Sequence, residues 1–216
     1  MDFLSSLLFA VPGPPASIKV VVDRQDAVVV SWLPPRQPNG VIVHYNVYVR
    51  EVEYGRERSH TSHQVSGVTT YRVVGLRPGT QHQFWVTANT RRGEGRSSQV
   101  VSKTPSGRHG THITDIGREI FLSWRSQVHL SCSHSGSSSP LTRWFFQGKE
   151  ATWVNQASVY GRSQLKIDSA VAEDSGNYTC VIENTQLIDS ISYSLHIQGN
   201  GIIPINIPVN DIIVRF

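Results

Sequence analysis

The stretch EDSGNYTC, residues 173–180, places a tyrosine two residues before one of the two cysteines in the chain. Side chains of a β-strand alternate between its two faces, so Tyr178 and Cys180 point to the same side. The other cysteine, Cys132, lies upstream, and Trp144 stands between the two. This spacing indicates a packed core and not a reaction centre.

The Cys…Trp…Cys order resembles that of an immunoglobulin sandwich, in which the tryptophan packs on a disulfide between two sheets. The resemblance implies a Cys132–Cys180 disulfide, a buried Trp144 and a Tyr178 hydroxyl that bonds back to the preceding loop. Closing a loop of this size would stabilise the module by roughly 4 kcal/mol. A persistent disulfide implies a secretory compartment, whereas two buried thiols would fit a cytosolic, muscle-type immunoglobulin domain.

Two small β modules account for the length and composition. The chain has 216 residues, of which 38% are hydrophobic and 17% charged, which suits two modules of about 100 residues. Short β-branched and aromatic runs alternate with Pro, Gly and Asn turns, and this pattern predicts an all-β fold of two tandem sandwiches. The predicted bounds are a leader (1–10), a first sandwich (11–105), a linker (106–111), a second sandwich (112–198) and an unpaired tail (199–216).

The first module has its own landmarks, which are VVVSWLPP (28–35), YNVYV (45–49), YRVVGLRPGT (71–80) and FWVTA (84–88). In this order they resemble a fibronectin type III module, with Trp32 and Leu76 in the core. The family's L-x-P-x-T-x-Y pattern ends in a corner tyrosine, and here that position is His82. We expect His82 either to keep part of the packing with one hydrogen bond or to form a pH-sensitive joint.

The order of the modules and the residues of several stretches resemble one particular family of proteins. The stretches are VPGPPASIKVVV (11–22), QFWVTANTRRGEGRSSQV (83–100) and WRSQVHLSC (124–132). They are similar to the Down syndrome cell adhesion molecule (Dscam) family, in which the last of four type III modules precedes an isolated immunoglobulin domain. The resemblance implies a cell-surface receptor for homophilic adhesion, axon guidance and neuronal self-recognition. In that family homophilic specificity resides in N-terminal immunoglobulin domains, so the present modules would act as spacer and stalk.

Two other functions remain open. An intracellular scaffold of the titin or twitchin kind also mixes these two modules. A secreted glycan-binding fragment would use the first module, because residues 11–105 carry 12 Lys and Arg against 6 Asp and Glu, while residues 106–198 carry 7 against 8. The candidate contacts to sulfated glycans are loop arginines: Arg56, Arg58, Arg91, Arg92 and Arg96.

A glycosylation sequon lies inside the opening stretch, at Asn177-Tyr178-Thr179. Strand alternation that turns Tyr178 inward turns Asn177 outward. A glycan on Asn177 is therefore sterically possible in a secreted protein.

The sequence does not indicate catalysis, a cofactor or nucleic-acid binding. It contains no G-x-S-x-G elbow, no H-E-x-x-H and no Gly-rich loop that opens a helix. The histidine pairs His109/His112 and His129/His134 lack cysteines or carboxylates at metal-ligand spacing, so no metal is expected. Basic residues neither form long runs nor alternate with aromatic ones, as nucleic-acid platforms require.

The two ends of the chain differ from the modules. MDFLSSLLFAVPG (1–13) has a short apolar run but an Asp where a signal peptide is basic, so we interpret residues 1–10 as a hydrophobic leader, a truncated segment or a weak signal. No stretch reaches the roughly 18 apolar residues of a spanning helix, and no membrane insertion is expected. The end, GNGIIPINIPVNDIIVRF (199–216), has no strand or helix period and is interpreted as an unpaired tail.

Overall fold

The computed structural model describes residues 10–107, 110–136, 140–152, 155–159, 162–184 and 187–199. Apart from residues 10 and 199, the predicted leader and tail lie outside the described residues, as do residues 108 and 109 of the predicted linker. The predicted all-β fold is confirmed, because the described elements are strands and one short 3₁₀ turn. No helix within these ranges is long and apolar enough to cross a membrane. The chain divides into two compact units, 1–109 and 110–216.

The first unit is a sandwich of antiparallel strands. Its strands are β1 (Pro15–Arg24), β2 (Ala27–Pro35), β3 (His44–Glu53), β4 (Arg56–Val65), β5 (Thr70–Val73), β6 (Gln81–Thr90), β7 (Gly93–Glu94) and β8 (Val101–Lys103). One sheet has the order β1-β2-β5, and the other has the order β4-β3-β6-β7 with β8 also paired to β6.

Alternation along the strands decides which side chains enter the core of the first unit. On β3, Tyr45, Val47 and Val49 are buried, while the residues between them face outward. Trp32 is 1% exposed and packs edge-on against Tyr45, with ring centroids 5.3 Å apart. Leu76 is buried in the same cluster. The two landmark residues of the sequence thus lie in the core.

A two-residue turn, Tyr54-Gly55, joins β3 to β4. Its residues have φ of 49° and 74°, and Glu53 pairs with Arg56 across it. Two positive φ angles define a type I′ turn, which favours Asn, Asp or Gly at the first position. Tyr54 is 98% exposed, so its ring does not pack enough to compensate for the strained backbone.

Tyr54→Asn is therefore expected to raise the free energy of unfolding of the first unit by about 1 kcal/mol, because Asn tolerates the left-handed conformation that a tyrosine adopts only with strain. Urea unfolding of the chain measures the change. Tyr54→Phe keeps both the ring and the strain, and it should leave the stability unchanged. An equal gain from both variants would place the effect in the side chain and not in the turn.

The second unit is also a two-sheet sandwich. Its strands are β9 (His112–Ile113), β10 (Glu119–Ser123), β11 (Val128–Ser135), β12 (Leu141–Phe146), β13 (Lys149–Glu150), β14 (Asn155–Val159), β15 (Arg162–Ile167), β16 (Gly176–Glu183) and β17 (Ile188–Gln198). The sheets have the orders β10-β17-β16-β12-β13 and β14-β15-β11-β9. Strand β10 runs parallel to β17, and the other pairs are antiparallel.

A disulfide joins the two sheets of the second unit, from Cys132 on β11 to Cys180 on β16. Trp144 lies opposite Cys180 on β12, is fully buried, and donates its indole N–H to Ser163 Oγ at 3.0 Å. Tyr178 is fully buried and donates its hydroxyl to the backbone oxygen of Asp174 at 2.9 Å. Burial raises the pKa of the Tyr178 phenol well above its usual range, so the hydroxyl stays a donor.

Candidate functional site

The five arginines predicted to contact glycans lie at two ends of one sheet. Arg56 and Arg58 begin β4, Arg91 and Arg92 lie in the turn between β6 and β7, and Arg96 follows β7. Strand β3 pairs antiparallel with β6, so that Val52 lies opposite Gln81 and His44 lies opposite Asn89. The β3–β4 turn is therefore near the start of β6, and the β6–β7 turn is at its end.

Strand β6 has ten residues, and a strand of that length spans roughly 30 Å. The structure thus separates Arg56 and Arg58 from the other three arginines and does not form one basic patch. Arg58 is also engaged, because its guanidinium forms an ion pair with Glu53. In the other group, the backbone N–H of Arg96 donates to the Pro12 oxygen at 3.2 Å.

Between these two ends, the outward face of β4, β3 and β6 carries three rings in mutual contact, here termed the ring cluster: Tyr48, His60 and Trp85. Tyr48 and Trp85 stack with centroids 5.3 Å apart and planes 6° apart. The His60 ring lies edge-on to Tyr48 at 5.6 Å and tilted against Trp85 at 5.4 Å. The Arg50 guanidinium carbon lies 5.4 Å from the Trp85 ring centroid, within cation–π range.

Glu94 on β7 reaches over the sheet beside the ring cluster. Its Oε1 accepts hydrogen bonds from the Thr87 hydroxyl at 2.5 Å, the Tyr48 hydroxyl at 2.6 Å and the Asn46 amide at 3.2 Å. Partial burial raises the pKa of the Glu94 carboxyl, but these three hydrogen bonds together outweigh it, and His44 adds a small charge contribution, so that the pKa lies below its ordinary value. The hydrogen bond to Glu94, followed by burial, raises the pKa of the Tyr48 phenol. Glu94 is thus an ionised, positioned carboxylate.

Sequence reasoning missed the ring cluster and Glu94. Alternation places Tyr48 and Arg50 on one face of β3 and Trp85 on one face of β6, but it does not reveal that Tyr48 lies opposite Trp85. Register depends on turn geometry and on core packing across strands that are far apart in sequence. The only local signal was the pair of outward aromatic residues.

His82 occupies the corner position at the start of β6. It is 3% exposed, and its Nδ1 lies 2.9 Å from the backbone oxygen of Thr80. Since a carbonyl only accepts, this nitrogen is the donor. The His82 side chain therefore bonds to the backbone two residues earlier, whereas the Tyr178 hydroxyl bonds to the backbone four residues earlier.

His82→Tyr is expected to raise the free energy of unfolding of the first unit by about 1 kcal/mol, because a phenol fills more of the corner and its hydroxyl can reach a backbone acceptor. The urea midpoint at neutral pH measures the change. His82→Phe supplies the ring without the hydroxyl and should not reproduce the gain. A tyrosine variant no more stable than the wild type would show that the corner already fits histidine.

The sequon lies on the outward side of the second unit. Asn177 is exposed on β16, opposite Ser194 of β17. Its backbone oxygen accepts a hydrogen bond from the N–H of Gln147 at 2.9 Å, and this bond does not involve the Asn177 side chain. Thr179 shares a hydrogen bond with Ser192 at 2.9 Å between the hydroxyl oxygens.

The described residues do not form a metal site. No three His, Cys, Asp or Glu side chains come together within the described ranges in a way that could hold an ion. The ring cluster with Glu94 is the surface feature of these ranges that combines aromatic stacking with a positioned carboxylate.

Comparison with known proteins follows the same division of the chain. Residues 13–104 match the fibronectin type III domain family, and residues 114–184 match an immunoglobulin domain family. Over 194 residues the chain is 36% identical to the cell adhesion molecule Dscam2 of Drosophila melanogaster, an alignment that covers 87% of this chain and 9% of that protein. These modules belong to the Dscam family.

The chain is also similar to a human protein of the Dscam family and, in its first module, to a solved type III domain. The human cell adhesion molecule DSCAML1 is 33% identical over 192 residues, which cover 87% of this chain and 9% of that protein. Among solved structures, the FN5 domain of Drosophila Lar is 31% identical, with a TM-score of 0.39, over 45% of this chain and 100% of that one. The chain spans about 9% of the length of the Dscam proteins that it matches.

Proposed function

We propose that this chain is a non-catalytic piece of a cell-surface adhesion receptor on the extracellular side of the plasma membrane, and that its two modules act as spacer and stalk. The observation that supports this most is the Dscam-type order of a fibronectin type III and an immunoglobulin module, matched over 87% of the chain. Each module has its own hydrophobic core, as expected of a unit that sets distance. Homophilic adhesion and neuronal self-recognition would then depend on other domains of the receptor.

The Cys132–Cys180 disulfide favours this proposal over an intracellular scaffold of the titin or twitchin kind. In the denatured, unreduced protein we expect no thiol that reacts with Ellman's reagent. Reaction at both cysteines would favour the cytosolic scaffold instead.

Exchange of the modules tests the spacer role. In a full-length receptor of the Dscam family, the equivalent module pair is replaced by an unrelated type III–immunoglobulin pair of equal length, and cell aggregation is measured. Aggregation and partner choice should survive the exchange, and beads coated with the present chain alone should stay dispersed. Loss of aggregation despite normal surface display, or clumping of the coated beads, would contradict the spacer role.

The glycan-binding alternative would need arginines that act together, and the structure separates Arg56 and Arg58 from Arg91, Arg92 and Arg96. Retention on heparin at physiological salt, abolished by Arg91→Ala with Arg92→Ala, would support that alternative. Weak retention that the two substitutions do not change is expected from a module that is merely basic.

We also propose that Asn177 carries an N-linked glycan when the chain is secreted, since its side chain is exposed on the outward face of β16. Expression in a secreting animal cell should give a mass that falls on treatment with peptide N-glycosidase. Asn177→Gln should abolish the shift, and Thr179→Ser should keep it. A wild-type mass equal to that of the unmodified chain would refute the proposal.

A further inference from the structure

The outward face that carries the ring cluster has the composition of a binding surface. Outward faces of antiparallel sandwiches are ordinarily polar, yet Tyr48 and Trp85 stack together on this one. Tyr, Trp and Arg are the residues that dominate the energy of protein interfaces, and this face brings Tyr48, Trp85 and Arg50 within ring-contact distance.

The same face is already ordered. The Arg50 guanidinium donates to Gln83 Oε1 and pairs with Glu57 at 3.4 Å, which fixes its position against Trp85. His60 adds a contact to each stacked ring. A partner would therefore lose little side-chain entropy from this surface on binding.

The charges of the face are complementary to a cation. Glu57 offsets Arg50, but Glu94 has no ion-pair partner among the described residues. All three hydrogen bonds to Glu94 reach Oε1, so Oε2 of this exposed, ionised side chain is not used by them. An unmatched carboxylate stands out in a module that carries twice as many basic as acidic side chains.

Carboxylate and aromatic rings together suit one class of ligand group. A guanidinium forms strong, charge-assisted hydrogen bonds with a carboxylate, and it stacks on aromatic rings. The face is also a sheet surface and not the concave cleft that small molecules usually occupy.

We propose that the outward face of β4, β3 and β6 is a docking surface for a partner protein that presents an arginine side chain, which binds Glu94 and packs against Tyr48 and Trp85. This binding role is separate from the spacer role and does not depend on it. It gives the first module a heterophilic contact of its own.

The test is a titration of the intact, ¹⁵N-labelled chain with N-acetylated, C-amidated hexa-arginine, followed by NMR. The peptide should shift the Trp85 indole N–H and the amides of β3 and β6. General attraction would not produce this result, because the chain carries a net charge of +4 and would instead attract hexaglutamate, which serves as the control peptide.

Variants separate the carboxylate from bulk charge. Glu94→Gln keeps an acceptor for the three donors, and it should weaken binding about tenfold. Glu53→Gln makes the same charge change at the far end of β3 and should leave binding unchanged. Trp85→Thr should also weaken binding about tenfold, which keeps the test decisive if the Glu94 variant is unstable.

Three results would overturn the proposal. The first is the absence of shifts at Trp85, and the second is an equal loss of binding in the Glu94 and Glu53 variants. The third is concentration-dependent dimerisation of the chain through this face without arginine binding, since the occupant would then be a second copy.

Discussion

Cys180→Ala is expected to remove about 4 kcal/mol from the free energy of unfolding of the second unit and nothing from that of the first. The disulfide closes a loop across a sequence separation of 48, and this constraint on the unfolded chain is the source of the stabilisation. The variant also leaves Cys132 as a free thiol in the hydrophobic core. A loss of this size is a large part of the stability of a small module.

Hydrogen exchange with mass spectrometry along a urea series measures the effect, because it reports the two units separately in the intact chain. Reduction of the wild type provides the control and should destabilise the second unit by a similar amount. A variant that unfolds at the same urea concentration as the oxidised wild type would mean that the Cys132–Cys180 bond does not contribute to stability.

Gly117→Ala is expected to destabilise the second unit by about 2–3 kcal/mol. A Cβ at this position, just before β10, would collide with the backbone oxygen of Ser192 on β17. A backbone atom within a ladder cannot move aside as the end of a flexible side chain does. The collision would push β10 away from β17. It would also strain the nearby hydrogen bond in which the Ser194 N–H donates to the Arg118 backbone oxygen at 3.1 Å.

Gly199→Ala is the matched control. This glycine has open space around it, so the same substitution should be neutral or slightly stabilising. Urea unfolding of both variants gives the comparison. Equal stability of the two variants would show that β10 shifts without penalty.

Residues whose environment is set locally or by one long-range bond were predictable from the sequence. Tyr178 and Cys180 share a strand, so their common inward direction follows from alternation alone. The place of Trp32 in the first core followed from the order of landmarks along the chain. Such core positions are common to sandwiches of the same class. Recognising the class from the sequence pattern was therefore enough to predict them.

Residues whose role depends on register were not predictable. Glu94 lies in a stretch that the sequence marks only as charged, and its carboxylate accepts a hydrogen bond from Tyr48, a residue far away in the chain. The arginines at the two turns looked like one group in the sequence, yet the antiparallel pairing of β3 and β6 separates them. Alternation gives the face of a side chain, and only the pairing of strands gives its neighbours.

The parallel pairing of β10 with β17 has a mechanical consequence. Strand β10 lies near the start of the second unit's sequence and β17 near its end, yet the two are neighbours in the sheet. They pair from Glu119–Ser194 to Ser123–Gln198. Tension applied to the two ends of the unit slides β10 and β17 past each other, so their hydrogen bonds share the load and must break together. If they do break, the disulfide keeps the chain between Cys132 and Cys180 closed, and the unit extends to about 140 Å where an unlinked chain would reach about 300 Å. A unit built in this way resists tension along the chain and yields by a limited length.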